Sequence, residues 1–411
     1  MINARQAAFE TLYKVSYDNA YSNIALDNAL SDLSDGKAFA ARLVYGVLER
    51  QLTLDYLIQR YCDKPKPKIK IILRMGAYQL YFMDKVTSAA AIDESVKLAK
   101  SNGLKYYASF VNAVLRNIDS NRIEIDTVPD LSIRYSVPTN LINMWIKAYG
   151  KDCVEKFLPA LNERPPVFAV PNTNKTDAQK LCGILFEEGV ECSVFDNVVK
   201  IHYSSDITEL KTFKDGLFHI QDISCCRAIS ALDIKNGDTV FDFCAAPGGK
   251  SFYASYFAGE SGRILSFDLH ESRVNLIKSG AERLGLHNIT AAVNDASVFN
   301  SELGKADKII CDVPCSGFGI VRRKPEIRYK DLDSVKGLPE IQLNILNTSS
   351  KYLKSGGKLL YSTCTLNKKE NEKVIDIFLQ ENSEYRVCDM KTFFPGENGG
   401  DGFFYCVIER K

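Results

Sequence analysis

From about residue 236 to the C terminus, short apolar segments alternate with amphipathic helical segments. The helix Glu271–Leu284 and a helix at 368–380 lie between strands predicted at 239–244, 263–268, 289–294, 308–312, 358–363 and 403–409. Apolar strands separated by helices bury both of their faces, so the pattern predicts a parallel sheet covered on each side. The fold class that this indicates for the C-terminal region is a Rossmann-like α/β domain.

The first 120 residues are predicted to be helical throughout. Ala4, Ala8 and Leu12 begin an apolar pattern at spacings of three and four, and similar patterns recur up to residue 118. Residues 121–235 mix helical and extended patterns. We therefore expect three domains: an all-α bundle at 1–125, a small α+β linker module at 126–235 and the Rossmann-like domain at 236–411.

Composition restricts the setting more than the function. No apolar run approaches the roughly 18 residues that a membrane helix needs, and the first residues lack the apolar core of a signal peptide. We therefore expect a cytoplasmic protein. The formal net charge of +1 argues neither for nor against nucleic acid. The 12 cysteines form no pair of CxxC motifs, so no metal site is expected.

A glycine loop follows the first predicted strand. Residues 242–251 read Asp-Phe-Cys-Ala-Ala-Pro-Gly-Gly-Lys-Ser and open a helix. Glycines allow a ligand to approach the backbone, and a helix start offers free N–H donors. The loop matches neither the dinucleotide fingerprint nor the phosphate-loop motif. A tight turn without a ligand is the alternative for a bare glycine pair, but the full string is more specific.

Acidic residues stand at the ends of the next two predicted strands. Asp268 can accept hydrogen bonds from both hydroxyls of a ribose, although alone it could cap the following helix. Asp295 can receive an adenine amino group, although it could equally be a turn residue. Acids at successive strand ends beside a glycine loop describe a nucleoside site not centred on phosphate. This favours S-adenosylmethionine over NAD.

Two cysteines follow the fourth and fifth predicted strands. Cys315 lies in the run Asp-Val-Pro-Cys-Ser-Gly-Phe-Gly at 312–319, and Cys364 lies in Leu-Tyr-Ser-Thr-Cys-Thr-Leu-Asn at 360–367. Strand ends are where an open α/β sheet presents its ligands. Carbon 5 of a pyrimidine is a poor nucleophile, and a thiolate that adds to carbon 6 produces a far better one, an enamine. Buried structural cysteines are the alternative for either residue taken alone.

These strings resemble the RNA cytosine-5 methyltransferases of the NOL1/NOP2/Sun group over residues 130–411. The glycine loop, the Pro-Cys loop, the Ser-Thr-Cys-Thr run with its following Glu370-Asn371-Glu372, and Asp401-Gly-Phe-Phe carry the likeness. The first 120 residues resemble the NusB-type RNA-binding bundle, through the runs at 72–80, 91–96 and 110–116. This two-part arrangement is similar to that of bacterial 16S ribosomal RNA methyltransferases.

The resemblance implies a class I methyltransferase domain and a role for each matching residue. Cys364 would be the nucleophile that attacks carbon 6 of a flipped cytosine, and Cys315 would assist elimination after methyl transfer. Lys250 and Asp312 would also touch the cytosine. The cofactor S-adenosylmethionine would be bound by Cys244, Ala245, Ala246, Pro247, Gly248, Gly249, Lys250, Asp268, Asp295 and Asp312.

Several alternatives stay open. DNA cytosine-5 methyltransferases place the nucleophile in the Pro-Cys motif, which would make Cys315 the attacking residue. Transfer RNA could replace 16S ribosomal RNA as the substrate, or the chain could be a non-catalytic ribosome-assembly factor. The partner is expected to be RNA and the protein a monomer. The phosphate contacts would come from Arg322-Arg323-Lys324, Arg328 and the basic loop 64–70, unless these are solvated surface. The adjacent Cys225 and Cys226 are expected to be an inert packed pair.

Overall fold

The computed structural model describes residues 3–18, 20–31, 33–203 and 206–411. The chain divides into two compact units. Unit 1 comprises Met1–Asn162 with Val321–Lys330, and unit 2 comprises Glu163–Ile320 with Asp331–Lys411. The division into three domains at 1–125, 126–235 and 236–411 stays a prediction.

Unit 1 is a helical bundle, as the apolar spacing predicts. Its helices are α1 (Ala4–Tyr17), α2 (Ser22–Ser31), α3 (Lys37–Glu49), α4 (Gln51–Gln59), α5 (Pro67–Phe82), α6 (Ser88–Ser101), α7 (Ala108–Ser120), α8 (Leu131–Tyr135), α9 (Thr139–Tyr149) and α10 (Lys151–Phe157). The central helix α5 buries every position from Ile69 to Leu80 except Lys70. Gly46 allows α3 and α5 to approach each other closely, since a Cβ at this position would lie 1.9 Å from the ring of Tyr78 on α5. In the described part of the chain, no helix is long and apolar enough to cross a membrane.

Proline and a left-handed residue explain where two helices of unit 1 begin and end. The basic segment 64–68 lies between α4 and the first turn of α5, and Pro67 opens α5 as its first residue. Residues 131–149 form two helices, α8 and α9. Ser136 ends α8 with a left-handed φ of 55°, and Pro138 disfavours helical backbone in the residue before it.

The segment Val321–Lys330 belongs to unit 1 although its neighbours in sequence belong to unit 2. The guanidinium of Arg328 is buried there, and its Nη1 donates to the carbonyl oxygen of Glu49 at 2.9 Å. Its Nη2 donates to the carbonyl oxygen of Leu161 at 3.1 Å. Both interpretations of Arg328, phosphate contact and solvated surface, are therefore wrong. Arg322 is buried as well.

Unit 2 begins with a small antiparallel sheet, which confirms the α+β character predicted for this region. Its strands and helices are β1 (Val167–Pro171), α11 (Ala178–Glu187), β2 (Glu191–Phe195), β3 (Val198–Tyr203), α12 (Lys211–Lys214) and β4 (Phe218–Ile220), with strand order β2-β3-β1-β4. Helix α11 covers one face through Leu181 and Leu185. The amide of Asn172 donates to the carbonyl oxygens of Gly216 and Leu284, at 3.0 and 2.8 Å, and so ties this sheet to the end of the helix at 271–284.

The larger sheet has the order β10-β11-β9-β8-β5-β6-β7. Its elements are α13 (Ile223–Ala231), β5 (Thr239–Phe243), α14 (Gly249–Ala258), β6 (Arg263–Asp268), α15 (Glu271–Leu284), β7 (Ile289–Val293), β8 (Ala306–Asp312), α16 (Leu338–Ser350), β9 (Leu353–Thr363), α17 (Glu372–Glu381), β10 (Tyr385–Phe393) and β11 (Phe403–Arg410). Strands β5 to β9 are parallel, which confirms the Rossmann-like prediction. The prediction is wrong for β11, which is antiparallel to β9, and β10 was not predicted.

Helices cover both faces of this sheet, and the alternation of side chains along β8 shows how. Ile310 faces one side, where Ala228 of α13 and Ala254 of α14 pack. Ile309 faces the other side, where Leu346 of α16 and Phe378 of α17 pack. The chain runs from β5 outward to β7 and then returns to β8 on the opposite side of β5. The carboxyl ends of β5 and β8 therefore flank a topological switch point, the place where open sheets bind ligands.

Candidate active site

The glycine loop lies at this switch point. It joins β5 to α14, and two of its residues have positive φ, 64° for Cys244 and 112° for Gly248. A Cβ on Gly248 would lie 2.4 Å from the ring of Phe252, so a side chain at this position is excluded on both counts. The N–H of Ala245 donates to the carbonyl oxygen of Phe267 at 2.7 Å, which holds the loop against the end of β6.

The two acids predicted to bind the nucleoside are placed differently. Asp268 at the end of β6 is 4% exposed, and its Oδ2 accepts a hydrogen bond from the N–H of Ala246 at 3.3 Å. It is not the cap of α15, whose N-cap is His270. Asp295 lies two residues beyond β7, is exposed and accepts hydrogen bonds from the N–H and hydroxyl of Ser297. These bonds lower the pKa of Asp295. Its side chain thus makes a turn, as the alternative interpretation predicts.

Sequence reasoning missed a polar residue beside these acids. Asn294 follows β7 directly, and its N–H donates to the carbonyl oxygen of Asp268 at 3.0 Å. Its Nδ2 is buried and has no hydrogen-bond partner among the described residues. Buried polar groups normally have partners, so this amide is suited to a bound ligand. No motif marks it, and its position at a strand end is the only sequence signal.

Lys250 connects the glycine loop to the Pro-Cys loop. Its Nζ lies 2.6 Å from Oδ2 of Asp312, and the other carboxylate oxygen accepts a hydrogen bond from the hydroxyl of Ser362 at 2.7 Å. The ammonium also lies 5.6 Å from the ring centroid of Phe403. Burial alone would lower the pKa of Lys250, but the charge of Asp312 outweighs it and the pKa is raised. Lys250 is therefore a fixed cation at the strand ends.

Asp242 occupies the interior beneath the glycine loop. It is fully buried, and its Oδ2 accepts a hydrogen bond from the hydroxyl of Ser251 at 2.5 Å. The hydroxyl of Ser266 donates in turn to that of Ser251 at 2.8 Å. Burial raises the pKa of Asp242 to about 7, against the effect of the Ser251 hydrogen bond. Its place below the loop indicates a supporting role for the loop conformation.

The two cysteines of the strand-end motifs meet in space. Their Sγ atoms lie 3.2 Å apart, with Cys315 three residues beyond β8 and Cys364 directly after β9. The backbone of the two loops is joined by the N–H of Gly319, which donates to the carbonyl oxygen of Cys364 at 3.0 Å. A Cβ on Gly319 would lie 2.0 Å from the carbonyl oxygen of Gly402, so the loops pack without space for a side chain there. Both thiols are free and partly exposed.

A third thiol lies in this region, and sequence reasoning left it without a role. Cys225 on α13 packs against the same apolar cluster as Cys364, whereas Cys226 is buried in a separate cluster with Phe168 and Val170. Burial raises the pKa of Cys225 to about 12, which leaves it a neutral thiol. The adjacent cysteines are thus not a pair packed together. Cys225 therefore packs as an apolar side chain against the cluster that Cys364 also contacts.

The residues at the switch point fit S-adenosylmethionine. The buried carboxylate of Asp268 can accept from ribose hydroxyls, the orphaned amide of Asn294 can meet a purine, and the cradle beside Gly248 admits no side chain. The sheet order and this set of groups define a class I methyltransferase that depends on S-adenosylmethionine. Among the described residues, no cluster of three or more His, Cys, Asp or Glu side chains is arranged to hold a metal ion.

Comparison with known proteins agrees with this class. The model of the family "16S rRNA methyltransferase RsmB/F" matches residues 229–409, and that of the NusB family matches residues 2–120. The probable ribosomal RNA small subunit methyltransferase B of Bacillus subtilis is 36% identical over 100% of this chain and 99% of its own length. The corresponding protein of Synechocystis is 32% identical, over 100% of each chain.

A solved structure, that of PH0851, has the same fold along the chain. It superposes with a TM-score of 0.82 at 24% identity, covering 99% of this chain and 98% of its own. NSun6 from Pyrococcus horikoshii, solved with SFG, superposes with a TM-score of 0.61 at 20% identity, covering 66% of this chain and 98% of its own. The chain belongs to the ribosomal RNA small subunit methyltransferase B family.

Proposed function

We propose that this protein methylates carbon 5 of a cytosine in 16S ribosomal RNA, with Cys364 as the nucleophile. The observation that carries the proposal is the distance of 3.2 Å between the Sγ atoms of Cys315 and Cys364 at the ends of β8 and β9. Two thiols beside a fixed Lys250–Asp312 pair suit addition to a pyrimidine ring and later elimination from it. A methyltransferase acting on an amine would need neither thiol.

The proposed reaction begins when the Cys364 thiolate forms a bond to carbon 6 of the cytosine. The C5–C6 π electrons then become available at carbon 5, which forms a bond to the methyl group. S-adenosylmethionine, when bound, would supply that group as an electrophile, with its sulfur keeping the electron pair of the S–CH3 bond that breaks. Carbon 5 next gives its proton to a base that acts with Cys315, the C–H electrons restore the C5–C6 double bond, and the Sγ–C6 bond breaks with its electrons returning to Cys364. Cys315 assists these last two steps.

In this proposal, the other predicted site residues bind the cofactor or face the cytosine. Asp268 accepts from the ribose hydroxyls, Asp295 lies by the adenine, and Lys250 and Asp312 lie toward the cytosine. The backbone of the glycine loop contacts the amino-acid part, through Cys244, Ala245, Ala246, Pro247, Gly248 and Gly249. We add Asn294 to this set, because its buried Nδ2 has no protein partner among the described residues.

The substrate class is proposed from the relatives. The Bacillus subtilis and Escherichia coli proteins are named as small-subunit ribosomal RNA methyltransferases, and this chain matches them over its full length. A base stacked in a helix must be extruded before a thiol can reach carbon 6, at a cost of a few kcal/mol, so a cytosine in a loop is favoured. We propose that the enzyme works as a monomer in the cytoplasm, where ribosomal RNA is assembled.

The test uses the purified full chain, S-adenosylmethionine and small-subunit ribosomal RNA. Wild type, Cys364→Ala, Cys315→Ala and the control Cys388→Ala, an exposed thiol on β10, are compared by mass spectrometry and a denaturing gel. We expect 5-methylcytosine from wild type and the control, and none from Cys364→Ala. Cys315→Ala is expected to accumulate a covalent RNA adduct, because it can attack but not eliminate efficiently.

Other outcomes identify the alternatives. If Cys315→Ala fails to attack and Cys364→Ala accumulates the adduct, the roles of the two thiols are reversed, as in the DNA enzymes. Methylation of transfer RNA alone would replace the substrate. RNA binding without methylation of either RNA would make the chain an assembly factor.

A further inference from the structure

A buried carboxylate lies behind the two thiols. Glu370 is fully buried, and its Oε1 accepts hydrogen bonds from the hydroxyl of Ser316 at 2.6 Å and the amide of Asn367 at 2.8 Å. Its Oε2 accepts from the N–H of Ser316 at 2.8 Å and from the amide of Gln342 at 3.0 Å. All four of these groups donate hydrogen bonds to the carboxylate, which suits a charged Glu370 with its lone pairs satisfied.

The donors to Glu370 come from three places: Ser316 lies in the Pro-Cys loop, Asn367 follows Cys364 in the loop after β9, and Gln342 lies on α16. Ser316 follows Cys315 directly and binds Glu370 through two atoms. Its hydroxyl also lies 2.6 Å from that of Thr365, which directly follows Cys364. Gln342, besides binding Glu370, donates to the carbonyl oxygen of Pro314 at 2.9 Å, on the other side of Cys315. One side chain therefore holds the residues that flank both thiols.

We propose that Glu370 is a positioning residue that locks the two cysteine loops together and so sets which of the two thiols is the more reactive, Cys364 being the one that attacks. The attack by Cys364 rests on the proposed function, whereas the control of relative thiol reactivity does not. Glu370 acts through Ser316, Asn367 and Gln342, which bind its carboxylate.

The electrostatics of Cys315 support this proposal. Its hydrogen bond with Cys364 is the largest influence that raises its pKa, followed by burial and by the charges of Cys364, Glu370 and Asp312. The charge of Asp312 is itself paired with the ammonium of Lys250, at 2.6 Å. A neutral Cys315 can donate its S–H to the Sγ of Cys364, which lies 3.2 Å away. Removal of the Glu370 charge takes away one of the influences that keep the proton on Cys315.

The test is the relative alkylation of the two thiols in reduced, full-length protein without RNA. Wild type and Glu370→Gln are treated with iodoacetamide at several pH values, and the rates at Cys315 and Cys364 are measured by peptide mass spectrometry. Wild type is expected to react faster at Cys364. In the variant, the ratio of the Cys364 rate to the Cys315 rate is expected to fall by about tenfold. This is the change that one pKa unit produces in a thiolate fraction. The methylation kcat is expected to fall with little change in KM.

A matched control removes one carboxylate from α17, the helix that begins two residues after Glu370. Asp376→Asn on α17 changes an exposed acid to its amide, and neither the alkylation ratio nor kcat is expected to change. Because the amide of Glu370→Gln directs an N–H toward donors, that variant could fold poorly. Ser316→Ala removes two hydroxyl contacts, to Glu370 and Thr365, at a smaller cost, and is expected to lower the ratio about threefold.

The outcomes separate this proposal from the proposed function. An unchanged alkylation ratio in folded Glu370→Gln, or in Ser316→Ala if the first variant does not fold, overturns the positioning role. A wild-type enzyme that never methylates RNA overturns the reaction, while the alkylation ratio still decides whether Glu370 controls the thiols.

Discussion

Lys250 and Asp312, which are 62 positions apart in the chain, form an ion pair of 2.6 Å between the carboxyl ends of β5 and β8. Lys250 comes from the glycine loop and Asp312 from the start of the Pro-Cys loop. The pair therefore joins the segment proposed to hold the cofactor to the segment that carries Cys315. The side chains are 15% and 29% exposed, so solvent screens the pair only partly.

The first prediction concerns this pair. Lys250→Met leaves the Asp312 carboxylate with the Ser362 hydroxyl but without its cation, and it removes positive charge from the proposed cytosine site. We expect kcat for methylation to fall at least about 100-fold, the scale of losing one fixed electrostatic contact in an active site. Steady-state kinetics measure this. Lys278→Met, which removes an exposed lysine of α15, should leave kcat within about twofold.

We predict that Asp242 makes the folding stability of the chain depend on pH. Its pKa is about 7 in the folded chain against 3.8 ordinarily, so between pH 4 and 7 the unfolded chain releases a proton that the folded chain retains. Protonation of Asp242 in the folded chain therefore stabilises the fold at low pH, and this contribution is lost as the pH rises toward 7. At about 1.4 kcal/mol per pKa unit, it weakens folding by up to about 4 kcal/mol above pH 7.

Asp242→Asn keeps an acceptor for Ser251 and removes this titration. Urea unfolding followed by circular dichroism should show that the variant gains stability relative to wild type between pH 5 and pH 8. The exposed Asp215→Asn should show no such gain. A difference between wild type and Asp242→Asn that is the same at both pH values would contradict the raised pKa.

We predict that replacement of the buried Arg328 strongly destabilises unit 1. Arg328→Met would leave the carbonyl oxygens of Glu49, Leu161 and Val321 without this donor. At about 1–3 kcal/mol for each buried group that loses its partner, we expect a loss of at least about 3 kcal/mol. The buried Trp145 lies in the same unit, so its fluorescence during urea unfolding reports the change. Lys324→Met, at an exposed position of the same segment, should cost less than about 0.5 kcal/mol.

We predict that an exposed tyrosine of unit 1 contacts RNA. Tyr106 is 92% exposed, and Lys66 of the basic loop lies 5.1 Å from the ring centroid of the adjacent Tyr107. Aromatic rings beside cations suit stacking with single-stranded bases, worth about 1–3 kcal/mol each. Tyr106→Ala should weaken RNA binding about tenfold in a filter or anisotropy assay, and Tyr106→Phe should restore it. An equal loss from Tyr21→Ala, another exposed tyrosine, would show that the effect is not specific to this surface.

Much of the architecture could be predicted because its signals are local. The strand Arg263–Asp268 and the helix Glu271–Leu284 have the predicted bounds. The strand β10 was missed because most of its residues between Tyr385 and Phe393 are exposed, which leaves no alternation of apolar and polar positions to detect. The antiparallel direction of β11 was missed because a strand's own residues do not record the direction of its neighbour.

The sequence by itself determined the fold class, the glycine loop and the two thiols at strand ends, because each depends on residue types at short spacings. Only the tertiary structure decided which distant groups meet. It brought Cys225 into the same apolar cluster as Cys364, buried Arg328 among carbonyl oxygens, and joined both cysteine loops through Glu370. Such contacts depend on how strands order in the sheet and where segments pack, and these follow from burial of the whole chain rather than from any one motif.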